Sequence, residues 1–256
     1  MKAVILAGGY GTRLKEETEI RPKPMVEIGG YPIIWHIMKI YFHYGIKDFI
    51  ICLGYKGNVI KEYFYNYFLN KSDITMDMDK NNIYIHNSFC ESWKITFVDT
   101  GEGTLTGGRL KRVENYINNE TFCLTYGDAV GNINIKELIE FHKKQKTWAT
   151  LTTVNIPERY GYLNLDSNYK VLKFTEKPTK ESNFINAGFF VFEPNIFQLI
   201  QGDMTMLEKE PLEELSRIGQ LSAYQHKGFW HPMDTLKDKI ELEKLWISNA
   251  NLWKLW

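Results

Sequence analysis

The 256-residue chain carries 31 basic and 31 acidic side chains, a formal net charge of zero, and 44% of its residues are hydrophobic. A zero balance argues against a non-specific nucleic-acid binder, which needs a basic excess or stripe, and it leaves little repulsion against a homo-oligomer. No apolar stretch approaches the ~20 residues of a membrane-spanning helix, and the chain opens on a strand rather than a secretory signal. The three cysteines, Cys52, Cys90 and Cys123, show no C-x-x-C spacing, and two of them lie in apolar runs as small buried residues. Together these features predict a cytoplasmic α/β protein with a substantial core.

Met1–Leu14, MKAVILAGGYGTRL, opens with an apolar run over Ala3–Ala7 that lacks in–out alternation, the pattern of a buried parallel strand. Gly8, Gly9 and Gly11 follow, then Thr12, Arg13 and, further on, RPKP with Lys23 between two prolines. A P-loop would need Gly-Lys-Ser/Thr, and a G-x-G-x-x-G fingerprint fails at Leu14. What is left is a glycine loop at a strand's carboxyl end, which either packs a strand on a helix or cradles an anion; Arg13 and Lys23 favour the anion.

Pro32–Tyr44 reads as a helix with Gly45 as its stop, carrying His36 and His43 as structural residues. Phe49–Tyr55 is a second buried strand and Val59–Leu69 a second helix, a βαβ rhythm. Lys71–Asp79 reads as a solvated acidic excursion, since the glycine and final glutamate of a calcium loop are missing. IYIH and KITFVDT are strands. In Thr100–Val113, TGEGTLTGGRLKRV, the glycines lead into a helix whose first turn carries Arg109, Lys111 and Arg112, where the dipole disfavours cations and a ligand would explain them; the alternative is a solvated surface turn. Thr121–Val130 is a third buried strand running through Gly127 into Asp128, a strand-end carboxylate placed to hold a ligand or Mg²⁺, while Asn134 supplies the cap of the next helix. Beyond it WATLTTV is a strand, YGYLNLDSNYKVLKFTEKP gives two alternating strands, and NAGFFVFEP another, a meander expected to form an edge or lid. Glu176-Lys177-Pro178 again braces a lysine with proline, and Asn186 opens an apolar strand. In the closing HKGFWHPMDTLKDK, Asp234 or Thr235 caps the last helix.

Two cationic segments, Asp128, Asp234 and Lys177 suit an in-line transfer between phosphates. Positive charge and backbone donors hold the anions, and Mg²⁺ needs one or two carboxylates while phosphates supply its other ligands. A phosphate monoester is itself an anionic nucleophile, so no Ser–His–Asp triad is required.

LAGGYGTRL with RPKP resembles the signature of the sugar-phosphate nucleotidyltransferases. TGGRLKRV, YGD, FTEKP, NAGFFVF and GFWHPMDTLKDK resemble their glucose-1-phosphate cytidylyltransferase branch, in order over essentially the whole chain. The resemblance implies CTP and α-D-glucose 1-phosphate as substrates, CDP-glucose for bacterial surface polysaccharides as product, Mg²⁺ as cofactor, and a homo-oligomer up to a hexamer. It implies a Rossmann-like, mostly parallel mixed sheet with helices on both faces and a smaller β-rich sugar-binding or lid portion. One domain is expected over 1–256, with 1–147 as the nucleotide half and 148–256 as the sugar-phosphate and C-terminal half. By the same resemblance Leu6, Ala7, Gly8, Gly9, Tyr10, Gly11, Thr12, Arg13 and Gly127 wrap the nucleotide, with Arg13 on its phosphates. Lys23 neutralises charge at the reacting phosphate, Thr104 and Arg109 hold the cytidine end, and Asp128 and Asp234 bind the metal. Lys23, Arg13 and Asp128 are the catalytic set; Lys177 holds the sugar phosphate, and Glu176, Asn186 and Gly161 face the hexose. Ala129 and Ala187 stand where the branch commonly has glycine, and Tyr160-Gly161-Tyr162 is bulkier than usual. The competing readings are a cytidylyltransferase for another phosphate monoester, a glycosyltransferase that consumes a nucleotide sugar, and a non-catalytic nucleotide sensor.

Overall fold

A computed structural model describes residues 1–155, 162–165, 170–175, 184–248, 250 and 252–256. Its frame is a seven-stranded sheet of β1 (Lys2–Leu6), β2 (Asp48–Leu53), β3 (Lys94–Asp99), β4 (Phe122–Tyr126), β5 (Ala149–Asn155), β6 (Phe184–Phe192) and β7 (Leu221–Gln225). The spatial order is β7-β5-β6-β4-β1-β2-β3. β1 pairs in parallel with β2 and β4, β2 with β3, and β5 with β7; β6 alone of the seven runs antiparallel, between β5 and β4.

The buried apolar runs of the sequence become the middle of this sheet because both of their faces are covered. Ala3 and Ile5 pack into one core with Phe49, Ile51, Phe189 and Val191, while Val4 and Leu6 pack into another with Ile50, Leu124, Phe190 and Phe192. That period of two across one strand divides the core into two layers. Helices α1 (Ile33–His43), α2 (Gly57–Asn70) and α4 (Ile135–Gln145) supply the first layer, and α3 (Thr106–Arg112) with α5 (Glu210–Arg217) the second. The last helix, α6 (Leu236–Ile247), adds Leu242 to the first layer. Pro32 takes the position just before α1, and Gly45 follows it at φ 85°. His36 is fully buried among aromatic rings and its Nε2 lies 2.9 Å from the Ile28 carbonyl. Burial pushes its pKa down to about 4 against the opposing pull of that bond, a structural histidine as its context suggests.

Three expectations need correction or completion. The solvated acidic stretch over 71–79 is ordered: Ser72–Asp77 is a strand paired with Asn82–Ser88 in a hairpin that stays largely exposed, so the solvated reading holds and what it missed is the strand pairing. NAGFFVF is no edge or lid, because Phe189, Phe190, Val191 and Phe192 are all fully buried in the centre of the sheet. The stretch Thr121–Val130 is not one strand: β4 ends at Tyr126, and Ala129–Gly131 leaves the sheet to pair antiparallel with Trp230–Pro232. The break falls at Gly127-Asp128 and builds the site.

Candidate active site

A cleft of about 630 Å³ opens where β1 and β4 end. Leu6, Ala7, Gly8, Gly9, Tyr10, Gly11, Thr12, Arg13, Lys23, Thr104, Arg109, Gly127, Asp128, Asn186 and Asp234 all line it, so residues scattered over the sequence converge on one wall system. Gly161, Glu176 and Lys177 lie outside the described residues. Ala187 and Gly188, which the sequence places beside the acceptor end, line the cleft too, as do Tyr126, Trp230 and Thr106, to which the sequence reading assigned no role. Tyr126 and Trp230 sat inside quoted motifs, next to Gly127-Asp128 and ahead of Asp234, and that adjacency was the signal available.

The centre of the cleft is a cluster of opposite charges. Asp128 follows β4 after Gly127 alone; the Met233 amide donates to its carbonyl at 2.8 Å, so the short ladder between Ala129–Gly131 and Trp230–Pro232 fixes Asp234 beside it. Asp234 is released from capping duty because Thr235 takes it: its hydroxyl accepts from the Asp238 amide, and the Asp238 carboxylate accepts from the Thr235 amide. Lys23, 7% exposed on a turn between Pro22 and Pro24, donates to Asp128 Oδ2 and to Asp234 Oδ1, each at 2.6 Å. Arg13 Nη1 donates to Asp234 Oδ2 at 2.7 Å, its side chain otherwise 70% exposed. Two carboxylates thus converge on a cation, and two cations stand ready for an anion. Among the described residues no three His, Cys, Asp or Glu side chains gather into a metal cage. A two-carboxylate seat is what a cation that keeps waters and takes phosphate oxygens needs.

The glycine loop is braced from behind. Arg109 is buried, and its Nη1 donates to the Leu53 and Gly101 carbonyls and the Thr100 hydroxyl at 3.0, 2.7 and 2.8 Å. Its Nη2 donates to the Gly8 and Glu102 carbonyls at 3.0 and 3.1 Å. Burial lowers its pKa, opposed by nearby groups. A side chain on Gly8 would put its Cβ 2.1 Å from Arg109 Nη1, so that glycine admits the guanidinium. Arg109 ties the loops flanking the cleft together while its edge faces the cavity, and Thr104 is buried in the same wall.

The helix argument for the second glycine-rich segment is overturned. α3 begins at Thr106, and Arg109, Lys111 and Arg112 lie in its last turn, where its dipole suits them. Arg112 is paired with Asp203 and Lys111 with Glu114. The glycines of TGGR admit the chain's own backbone: the Gly107 and Gly108 amides donate to the Thr205 carbonyl at 3.0 and 3.2 Å, and a Cβ on Gly108 would stand 2.4 Å from the Asp203 carbonyl.

At the Asn186 end, Tyr126 is packed against Gly188, which holds φ 77°. Burial raises the Tyr126 phenol above its ordinary value, reinforced by the Glu208 carboxylate and opposed by the Asn186 amide. Ala187 is 1% exposed and its carbonyl accepts from Trp230 Nε1 at 2.9 Å.

The nucleotidyl transferase family model matches residues 2–234 of the chain. A glucose-1-phosphate cytidylyltransferase of Salmonella typhi is 54% identical over 257 residues, covering 100% of both chains. A Bacillus subtilis (strain 168) protein named "Probable glucose-1-phosphate cytidylyltransferase" is 45% identical over the same span, again 100% of both. Among solved structures, HddC from Yersinia pseudotuberculosis superposes with a TM-score of 0.71 at 25% identity, over 96% of this chain and 99% of that one. A sheet of this order, a cleft at its carboxyl ends and full-length relatives of this likeness lead to one conclusion: the chain belongs to the nucleotidyl transferase family, as an enzyme.

Proposed function

We propose that the protein transfers the cytidylyl group of CTP to α-D-glucose 1-phosphate, releasing pyrophosphate and forming CDP-glucose, with Mg²⁺ as its metal. The observation that carries the reading is Lys23 held between Asp128 and Asp234 in the cleft, in a chain whose full-length relatives carry this activity in their names. An oxygen of the sugar phosphate attacks the α-phosphorus of CTP, and the bond to the β-phosphate oxygen breaks as pyrophosphate leaves. The attacking oxygen is already anionic, so the residues act by position and charge.

In this reading Leu6–Arg13 wraps the nucleotide, Arg13 moves from Asp234 onto its phosphates, and Lys23 neutralises charge at the α-phosphate. Thr104 and Arg109 line the base end; the tie from Arg109 to Gly8 and Glu102 supports a fixed base wall. Asn186, with Gly161, Glu176 and Lys177, serves the sugar phosphate. Asp128 and Asp234 would hold the Mg²⁺, which supplies charge neutralisation between the two phosphates when bound. The proposal extends to a single catalytic unit with a nucleotide half over 1–147 and a sugar-phosphate half over 148–256, since strands of both halves share the sheet. It also extends to a homo-oligomer acting in the cytoplasm; no helix among the described residues is long and apolar enough to cross a membrane.

The test is a matrix of CTP, ATP, GTP, UTP and dTTP against a panel of sugar 1-phosphates with Mg²⁺, reading pyrophosphate. The expected result is release with CTP and glucose 1-phosphate. No turnover with that pair refutes the acceptor, and release of nucleoside diphosphate instead of pyrophosphate refutes the reaction class.

A further inference from the structure

One wall of the cleft rests on a carboxylate that the transfer chemistry does not use. Glu208 sits between the 203–207 segment and α5. Its Oε1 accepts from the Tyr126 hydroxyl at 2.5 Å and its Oε2 from the Thr106 hydroxyl at 2.6 Å. Thr106 Oγ1 in turn accepts from the Leu207 amide at 2.9 Å. Among the described residues no ion pair is made by Glu208, so its charge is spent on two hydroxyls that both line the cavity.

An ionised carboxylate only accepts, so both hydroxyls must point their protons at it. That leaves the Tyr126 oxygen only lone pairs to offer. The ring of Tyr126 lies flush on Gly188, where an added Cβ would come within 2.5 Å of ring carbon Cδ2. Gly188 sits where the ladder between β5 and β6 slips: Leu151 pairs with Phe190, but Thr153 pairs with Asn186. Such a bulge re-aims a side chain. Asn186, exposed to the cleft, is held in that bulge by its own Oδ1, which accepts from the Gly188 amide at 2.8 Å. The constraint therefore runs from Glu208 through the phenol to the bulge and to Asn186.

We infer that Glu208 is a positioning residue for the sugar-phosphate end of the cleft: it locks the Tyr126 ring and hydroxyl, so that the phenol and the Gly188 bulge together hold Asn186 towards the cleft. The inference rests on the reading that the Asn186 end takes the sugar phosphate. Glu208 itself does not line the cleft; it works by holding Tyr126 and Asn186, which do.

The experiment compares wild type, Glu208→Ala, Glu208→Gln, Tyr126→Phe and Glu208→Ala/Tyr126→Phe by steady-state kinetics, with melting temperature as the folding check. The acceptor is whichever sugar 1-phosphate the wild type uses. Glu208→Ala and Tyr126→Phe should each raise the KM of the sugar phosphate by roughly tenfold, the size of one hydrogen bond, while the KM of CTP moves by less than about twofold. Gln can still accept from one hydroxyl, so Glu208→Gln should recover part of the loss. The double variant should be no worse than the weaker single variant, because both changes break one linkage. Equal shifts in both KM values, additive losses, or unchanged kinetics overturn the inference. If Glu208→Ala does not fold, the isosteric Gln and Tyr126→Phe decide by the same criteria. A wild type that uses another sugar 1-phosphate refutes glucose as the acceptor and leaves the KM split to judge Glu208.

Discussion

Removing the Lys23 ammonium tests the charge cluster most directly. In the free enzyme Lys23 and Arg13 balance Asp128 and Asp234, so Lys23→Met leaves two carboxylates with one cation. Two charge-assisted hydrogen bonds are lost, worth ~1.5–3 kcal/mol each when dry. The carboxylate side chains are 30% and 27% exposed, so water reaches both and each loss falls towards ~1 kcal/mol. The expected destabilisation is about 2 kcal/mol, or roughly 4–8 °C in Tm for a domain of this size. The same change should raise affinity for a divalent cation in the nucleotide-free protein. A unit charge ~4 Å from another at the protein surface is worth up to ~4 kcal/mol before solvent screening, so a gain of at least about tenfold is expected. Titration with Mn²⁺ followed by electron paramagnetic resonance measures the affinity, and added Mg²⁺ should recover Tm in the variant more than in wild type. Turnover should fall by about 10²–10³, the cost of removing a group that stabilises developing charge, with little change in CTP binding. Metal affinity no tighter than wild type, or turnover within a few-fold of it, would refute the reasoning.

Asp128→Asn should abolish metal-dependent turnover while melting within a few degrees of wild type; retained pyrophosphate release would reduce Asp128 to a structural residue. Arg109→Met removes its bonds to five acceptors, but the Leu53 carbonyl keeps the Thr100 amide and hydroxyl and the Gly8 carbonyl keeps the Tyr55 amide. The part-buried Gly101 and Glu102 carbonyls lose the guanidinium, at ~1 kcal/mol or more each. A denaturant midpoint shift equivalent to about 2 kcal/mol or more is expected, and Lys, which lacks the planar fork, should not rescue it. His36 has a folded pKa of about 4, below its unfolded value of 6.5, so the unfolded chain binds the extra proton. Stability from this group is complete above pH 6.5 and is lost as pH falls towards 4, by up to about 3 kcal/mol. Burial also depresses His142 and His226, so unfolding free energy should decline over that window, and His36→Gln should flatten the slope; an unchanged slope would remove His36 from the account. Thr235→Ala should cost ~1 kcal/mol through the lost cap, read as a small drop in Tm.

Much of the site was legible because short-range pattern carries it. The end of the apolar run at Leu6 and Ala7, the proline-braced Lys23 and the strand-end Asp128 are local features, and each lines the cleft. The reading of α3 failed because local sequence does not say where a helix starts when glycines precede it. The first turn is set by carbonyls of Asp203 and Thr205, far along the chain, which accept from the Leu105, Gly107 and Gly108 amides, and those contacts move Arg109 into the last turn. NAGFFVF failed as an edge for a related reason: an all-apolar strand is equally compatible with several sheet positions until its neighbours are known.

Sequence by itself determined the α/β class, the parallel strands buried on both faces, the glycine-rich and cationic character of the first loop, and the residue types of the charge cluster, because these depend on periodicity, glycine and charge within a few residues. Tertiary structure alone decided that Lys23 stands between Asp128 and Asp234, that Arg109 braces the loops around the cleft, and that Glu208 supports Tyr126. Each of those contacts joins segments about a hundred or more residues apart, or crosses between strand β4 and a loop outside the sheet. No local pattern encodes such a meeting; it follows from sheet order and from the short ladder that carries Asp234 to Asp128.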